Sequence, residues 1–243
     1  MFVRFKIVGL FLMLIIAGLV ASCAPAAAPT VQPASPTPAS TQAVAASSLS
    51  SSAPASSAPS ASDTIRLVVV PGKSQANYRV REQLANVSAP SDAVGTTSSF
   101  TGTIVGKLDG TIVADSKFVV DLSTLKSDQG QRDNFLRQSV LQTNQYRYAT
   151  FVPTAATGLP KTIPTSGQVS FQLTGDLSIK TTTKSITWDV TCQPASATAG
   201  ACHATTSFTF ADVGLTVPRV FTVLSIVDKI TLEVDVDLQR ATN

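Results

Sequence analysis

Three runs in the C-terminal half alternate apolar and polar residues with a period of two, which constrains the fold more than any other feature of the chain. Val169, Phe171, Leu173, Leu177 and Ile179 are interleaved with Gln168, Ser170, Gln172, Thr174, Asp176 and Ser178. Ile186, Trp188 and Val190 alternate with Ser185, Thr187, Asp189 and Thr191. Ile230, Leu232, Val234, Val236 and Leu238 alternate with Thr231, Glu233, Asp235, Asp237 and Gln239. Successive strand residues point to opposite faces, so each run has one dry face and one wet face. This is the antiparallel pattern; a parallel sheet covered on both sides would read as continuous apolar stretches.

The upstream segments extend the same reading. Ile65 to Val70 is a β-branched run stopped by Pro71-Gly72, and Gln75 to Arg81 alternates with Ala76, Tyr78 and Val80 on one face. Ala85 to Thr97, with Pro90, Asp92 and Gly95, reads as a loop. Phe100 to Leu108 is strand-like and meets the hairpin signal Asp109-Gly110, and Thr111 to Leu122 continues with Phe118, Val120 and Leu122 in step. Ser123 to Gly130 turns the chain. Arg132 to Leu141 reads as two or three helical turns with Phe135, Leu136 and Val140 facing inward. Tyr146 to Pro153 is extended again, and Gly158, Pro160, Pro164 and Gly167 mark a loop.

About eight strands, one short helix and no repeat leave a β-sandwich or a closed barrel, between which periodicity does not choose. A barrel of this size either fills its interior with side chains or holds one small ligand. With an apolar inner face, that ligand would be apolar.

The first quarter of the chain has a different character. Residues 1–22 carry Arg4 and Lys6, an apolar run from Ile7 to Val20 and then small residues, the order of a secretory signal and too short for a comfortable membrane span. The run ends Val20-Ala21-Ser22-Cys23, which resembles a bacterial lipobox, so Cys23 is the expected lipidation site and the protein is expected to be exported and membrane-anchored, facing the periplasm or the cell exterior. Residues 23–62 follow as the lipidated Cys and a linker. Ala24 to Ser62 has no charged residue and consists almost wholly of Ala, Ser, Pro and Thr, with too little bulky apolar surface to offset the entropy of ordering. As a coil it would span about 35 Å, with a ceiling of roughly 120 Å if fully polyproline-like. The folded domain is residues 63–243.

Charge and cysteine content narrow the partners. Without Arg4 and Lys6 the 18 basic residues fall to 16, against 15 acidic residues that all lie beyond residue 62. A domain this close to neutral is not built to neutralise phosphates, so nucleic acid is not an expected partner. With Cys23 assigned to lipid, Cys192 and Cys202 remain, flanking the turn-rich Gln193–Ala201. In an exported domain they read as a disulfide across a hairpin. Metal binding is the rival, but two Cys with His203 beside one of them make a poor ligand set without a fourth group.

Four blocks in order resemble the YceI-like, polyisoprenoid-binding family. They are Val70-Pro71-Gly72-Lys73-Ser74; Ser127-Asp128 through Arg132-Asp133 to Tyr148-Ala149-Thr150-Phe151; Gly175-Asp176-Leu177-Ser178-Ile179-Lys180 through Thr183-Lys184-Ser185-Ile186; and Asp212-Val213-Gly214-Leu215. The resemblance covers about Ile65 to Leu238. It implies a lipocalin-like antiparallel β-barrel whose interior takes the chain of a long isoprenoid lipid, such as a quinone or prenyl phosphate, with no cofactor besides that lipid. The anchor fits a lipid carrier, which gains from lying near the membrane it loads from.

The candidate ligand-binding residues are Arg132, for a polar head group at the barrel mouth, with Asp133, Phe135, Tyr146, Tyr148, Phe151, Phe171 and Trp188 along the channel. Arg132 and Asp133 are adjacent, about 100° apart on a helix, so they do not form a face-to-face pair. The competing reading has both fastening the helix to the sheet. No catalytic constellation is expected: His203 is the only histidine, and no G-x-S-x-G elbow occurs. Glu233, Asp235 and Asp237 lie too far apart along one strand face to converge on calcium, so no metal site is expected. The function expected is a tethered extracytoplasmic lipid-binding protein and not an enzyme. The alternative is a structural or interaction lipoprotein whose barrel is filled with side chains.

Overall fold

The computed structural model describes residues 64–196 and 198–241. The expected signal segment, Cys23 and the linker lie outside them. Ten antiparallel strands follow in chain order: β1 (Ile65–Val69), β2 (Gln75–Leu84), β3 (Ser91–Thr97), β4 (Phe100–Gly106), β5 (Lys117–Asp121), β6 (Tyr148–Thr157), β7 (Val169–Ile179), β8 (Thr182–Ser196), β9 (Ala199–Phe208) and β10 (Val223–Arg240). Between β5 and β6, helix α1 (Gly130–Phe135) runs on into a π-helical turn at Leu136–Val140.

The strands neighbour one another as β1-β4-β5-β6-β7-β8-β9-β10, and β10 pairs back onto β1, so eight of them close into a ring. A barrel, not a sandwich, is therefore the solution that period-two alternation left open. β10, with 18 residues, has room for two partners on one edge: β2 along Val223–Asp235 and β1 along Leu238–Arg240. β3 adds to β2, and its Thr96 exchanges two backbone hydrogen bonds with Lys126, at 2.7 and 3.0 Å, which joins the wall a second time.

The alternating runs behave as their pattern requires. Leu173, Leu177, Ile179, Ile186, Trp188, Val190, Ile230 and Val236 are buried inside the ring. Their neighbours pair across strands on the wet face, as Gln172 does with Asp189 and Thr174 with Thr187.

The turn-rich Gln193–Ala201 segment is mostly strand, with β8 running to Ser196 and β9 starting at Ala199, and the structure differs from the sequence reading in three further places. Ser91–Thr97 is strand β3, although Pro90, Asp92 and Gly95 mark a loop. Asp92 instead accepts hydrogen bonds from Arg79 and Arg81 on the outer face. Gly95 lies under the Tyr78 ring, where an added Cβ would come 2.1 Å from Tyr78 Cε1, so glycine serves here for close approach. Second, the Thr111–Leu122 strand shortens to Lys117–Asp121, because Asp115 takes a φ of 80° and the buried Ser116 hydroxyl binds the Val105 and Val113 backbone. Third, the helix begins earlier than Arg132 and changes to π geometry after Phe135.

The barrel has two unlike ends. At the hairpin end lie the start of β1, the Asp109-Gly110 turn and the β8–β9 turn. There Gly110 (φ 90°) abuts the Ala156 carbonyl so closely that a Cβ would clash. At the helix end lie α1, the β7–β8 turn, the start of β10 and the end of β2.

Candidate functional site: an apolar lumen

A cavity of about 750 Å³ occupies the barrel, lined from Glu82, Arg132 and Phe135 at the helix end to Cys192, Pro194 and Cys202 at the hairpin end. The side-chain-filled barrel of the alternative reading is therefore not what this sequence builds. The volume falls in the range of roughly 300–1,000 Å³ in which pockets bury most of a small apolar ligand. Its wall is overwhelmingly apolar, and the charged lining residues are Glu82, Lys107 and Arg132.

An aromatic belt crosses the wall. Phe100 stacks on Phe118 at 5.8 Å, Phe118 on Phe151 at 6.5 Å, and Phe151 meets Trp188 edge-on at 5.9 Å. Gly102 lies opposite Phe118 on the neighbouring strand, and a Cβ there would come 2.2 Å from the ring, so β4 makes room for the belt by omitting a side chain. Trp188 is 6% exposed and faces the lumen, and its Nε1–H has no hydrogen-bond partner among the described residues. A buried donor left unpaired costs about 1–3 kcal/mol, so an acceptor arriving in the lumen would recover part of that.

At the helix end, Arg132 spans two acids. Its Nη2 donates to Glu82 at 2.5 Å and its Nη1 to Asp128 at 2.6 Å. Burial works against the guanidinium charge, but Asp128 and Glu82 outweigh it and hold the pKa above its ordinary value. Tyr78, also on the lumen wall, has its hydroxyl pushed up to about 12, chiefly by burial, with Arg132 opposing. Asp133 points elsewhere: it is buried and accepts from the Ser127 amide at 2.9 Å and the Ser127 hydroxyl at 2.7 Å.

Of the residues singled out in the sequence, Arg132, Phe135, Phe151, Phe171 and Trp188 line the cavity. Asp133, Tyr146 and Tyr148 do not. Tyr146 lies outside β6, with the Lys180 ammonium 5.8 Å from its ring centre. Tyr148, the first residue of β6, is 51% exposed with Arg147 over its ring, because alternation along β6 sends Ala149 and Phe151 inward instead. Sequence reasoning missed Glu82, whose burial is explained by Arg132, 50 residues away. An acid on the apolar face of β2, in step with Ala76, Tyr78 and Val80, was the available signal.

Cys192 and Cys202 form a disulfide between directly opposed residues of β8 and β9, on the lumen side. His203 faces outward, exposed, with Nδ1 2.7 Å from Asp235. Glu233 pairs with Arg79. Among the described residues no group of three or more His, Cys, Asp or Glu side chains gathers as a metal site.

A closed eight-stranded antiparallel barrel around an apolar lumen is a lipocalin-like binding fold. The YceI-like domain model matches residues 67–238, and the chain belongs to that family. The fold is similar to a polyisoprenoid binding domain from Saccharophagus degradans implicated in plant cell wall breakdown, at a TM-score of 0.56 and 12% identity, covering 73% of this chain and 99% of that one. It is also similar to Burkholderia cenocepacia BcnA, at a TM-score of 0.51 and 15% identity, covering 72% of this chain and 99% of that one. No curated protein matches the chain.

Proposed function

We propose that this protein is a membrane-tethered, extracytoplasmic binding protein that holds an apolar isoprenoid lipid in its barrel. The observation that carries the reading is the cavity itself, about 750 Å³ of apolar lumen inside a closed barrel. The polyisoprenoid binding described for the Saccharophagus degradans relative supports the class of ligand. The lipobox-like Cys23 and the linker support the tether.

Of the two head-group chemistries, the interior favours a quinone type over a prenyl phosphate. The free Trp188 Nε1–H calls for a neutral acceptor such as a carbonyl oxygen, and it sits beside the aromatic belt. A phosphate would need cations inside the wall; Arg132 is already shared between Glu82 and Asp128, and Lys107, the other lining cation, stands at the hairpin end just past the last residue of β4.

Trp188 is the only tryptophan, so its emission reports on the lumen alone. Titration with a short-chain ubiquinone should quench it saturably, while a polyprenyl phosphate of equal chain length should bind more weakly. Trp188→Phe should lower quinone affinity by about tenfold, the worth of one hydrogen bond, as read by displacement of a fluorescent prenyl probe. Absence of saturable binding by either lipid would remove the proposal. For the tether, Cys23→Ser should abolish labelling by radioactive palmitate and release the protein from the membrane fraction.

A further inference from the structure

Among the described residues ten large hydrophobic side chains are exposed, and six of them, Val87, Phe135, Val220, Phe221, Leu224 and Val227, lie around the helix end of the lumen. Phe221 is 101% exposed, Leu224 68% and Val227 51%. Monomeric proteins seldom leave a cluster of this kind unpartnered. The backbone accounts for the display. A turn closed by the Val223 amide on the Val220 carbonyl, at 3.0 Å, puts Phe221 at its tip. β10 then bulges between Val223 and Ser225 and again between Ile226 and Ile230, while β2 runs on. Such bulges re-aim side chains. As a result Val220, Val223 and Ile226 line the cavity, and the residue after each, Phe221, Leu224 and Val227, does not.

The apolar surface is therefore continuous from the lumen, through Val87, Phe135 and Val220, which are both exposed and cavity-lining, to an outward row. Cations flank that row. Arg219 and Lys229 are exposed and form no ion pair among the described residues. Asp228, beside Lys229, is engaged in accepting the Phe210 amide at 2.9 Å. The nearby acids Glu82 and Asp128 are both held by Arg132.

We infer that the Val220–Lys229 segment, with Val87 and Phe135, docks the barrel mouth on the surface of an anionic lipid bilayer, so that a lipid passes between membrane and lumen without crossing water. An apolar row flanked by unpaired cations matches the acyl–headgroup boundary of such a surface. The inference rests on the lipid-binding reading above. The point of attachment is compatible with it. β1 begins at the opposite, hairpin end, and the barrel is roughly 40 Å long by strand rise and tilt. By length alone the 39 residues from Ala24 to Ser62 can reach up to roughly 120 Å, enough for an anchored chain to turn its helix end to the membrane.

The test uses the chain from Ala24 to Asn243, so that neither the signal segment nor an acyl anchor contributes, and flotation with phosphatidylcholine–phosphatidylglycerol vesicles. Wild type should float, less so on pure phosphatidylcholine and less at high salt. F221S/L224S should lower the bound fraction by about tenfold or more, since each removed side chain contributes at least about 1.4 kcal/mol when buried. R219Q/K229Q should remove the preference for anionic vesicles. Both variants should keep the wild-type melting temperature and bind a fluorescent prenyl probe from solution with unchanged affinity, while taking it up more slowly from vesicles. A wild-type barrel that binds the probe but does not float overturns docking and leaves lipid binding standing. Flotation without probe binding does the reverse. If F221S/L224S instead converts a dimer to a monomer in light scattering and vesicle binding is absent, the patch is a contact between copies and the inference falls.

Discussion

The wall made by β7, β8 and β9 and the mouth made by β2, α1 and the start of β10 solve different problems with the same chain. In the wall, β7 and β8 pair from Val169–Cys192 to Ile179–Thr182 without a register shift. The inner residues are apolar, the outer ones polar, and a disulfide ties β8 to β9. The mouth departs from that order: β10 bulges against β2, α1 changes to π geometry, and a guanidinium bridges a buried and an exposed acid. Regular pairing encloses the lumen, and the irregular end carries the exposed apolar row. Under the proposed function, the contrast separates what would bind a lipid from what would let it in.

Filling the lumen from the regular wall should produce the largest effect. Ala204 lines the cavity between β8 and β10. Ala204→Phe should lower affinity for a prenyl probe by tenfold or more, with a stability loss of less than about 3 kcal/mol, because space is available for the ring. Unchanged affinity would mean that the lipid does not use this part of the wall.

At the mouth, Arg132→Ala strands the buried Glu82 and should cost about 3 kcal/mol in urea unfolding. Probe affinity should stay close to wild type, since Arg132 is already engaged by acids. A large loss of affinity with stability intact would make Arg132 a head-group contact and erase the division between the two regions. Arg132→Met with Glu82→Gln should recover much of the stability, because neither partner then leaves an unpaired buried charge.

Next in size, Cys192→Ser with Cys202→Ser should lower stability by about 2–3 kcal/mol through the unfolded chain, without altering the β8–β9 register. The smallest effect concerns the clamp between the start of β8 and the chain after β9. Lys184 above all, then Thr209, holds the Asp212 carboxyl at about 2. Its folded value lies below its unfolded one, so its contribution is present above about pH 4 and is lost as the pH falls toward about 2. Asp212→Asn should flatten that acid decline in thermal melts; an unchanged acid limb would show that the clamp is not populated.

The wall was legible in the sequence because burial on one face imposes period two, and Leu173, Trp188, Val190 and Leu232 could be placed from spacing alone. The four family-like blocks were legible too, but the structure shows them mainly as fasteners. Ser74 accepts the Asp237 amide, Asp133 binds Ser127, and Lys184 meets Asp212. Closure of the ring was not legible, since it depends on β10 pairing with β1, more than 160 residues apart. Nor was β3, where Gly95 and Asp92 serve cross-strand contacts that look like turn chemistry in one dimension. Tyr148 was misdirected by one residue of alternation: Ala149 and Phe151 face inward, which puts Tyr148 outside.

The content of the lumen is the most direct sign of whether the barrel holds a lipid. Protein purified from its native membranes without detergent, extracted with organic solvent and analysed by mass spectrometry, should yield an isoprenoid lipid in near-equimolar amount, with a quinone head group, and Ala204→Phe should yield far less. A wild-type extract free of isoprenoid, from a folded barrel that also fails to take up a prenyl probe, would contradict it.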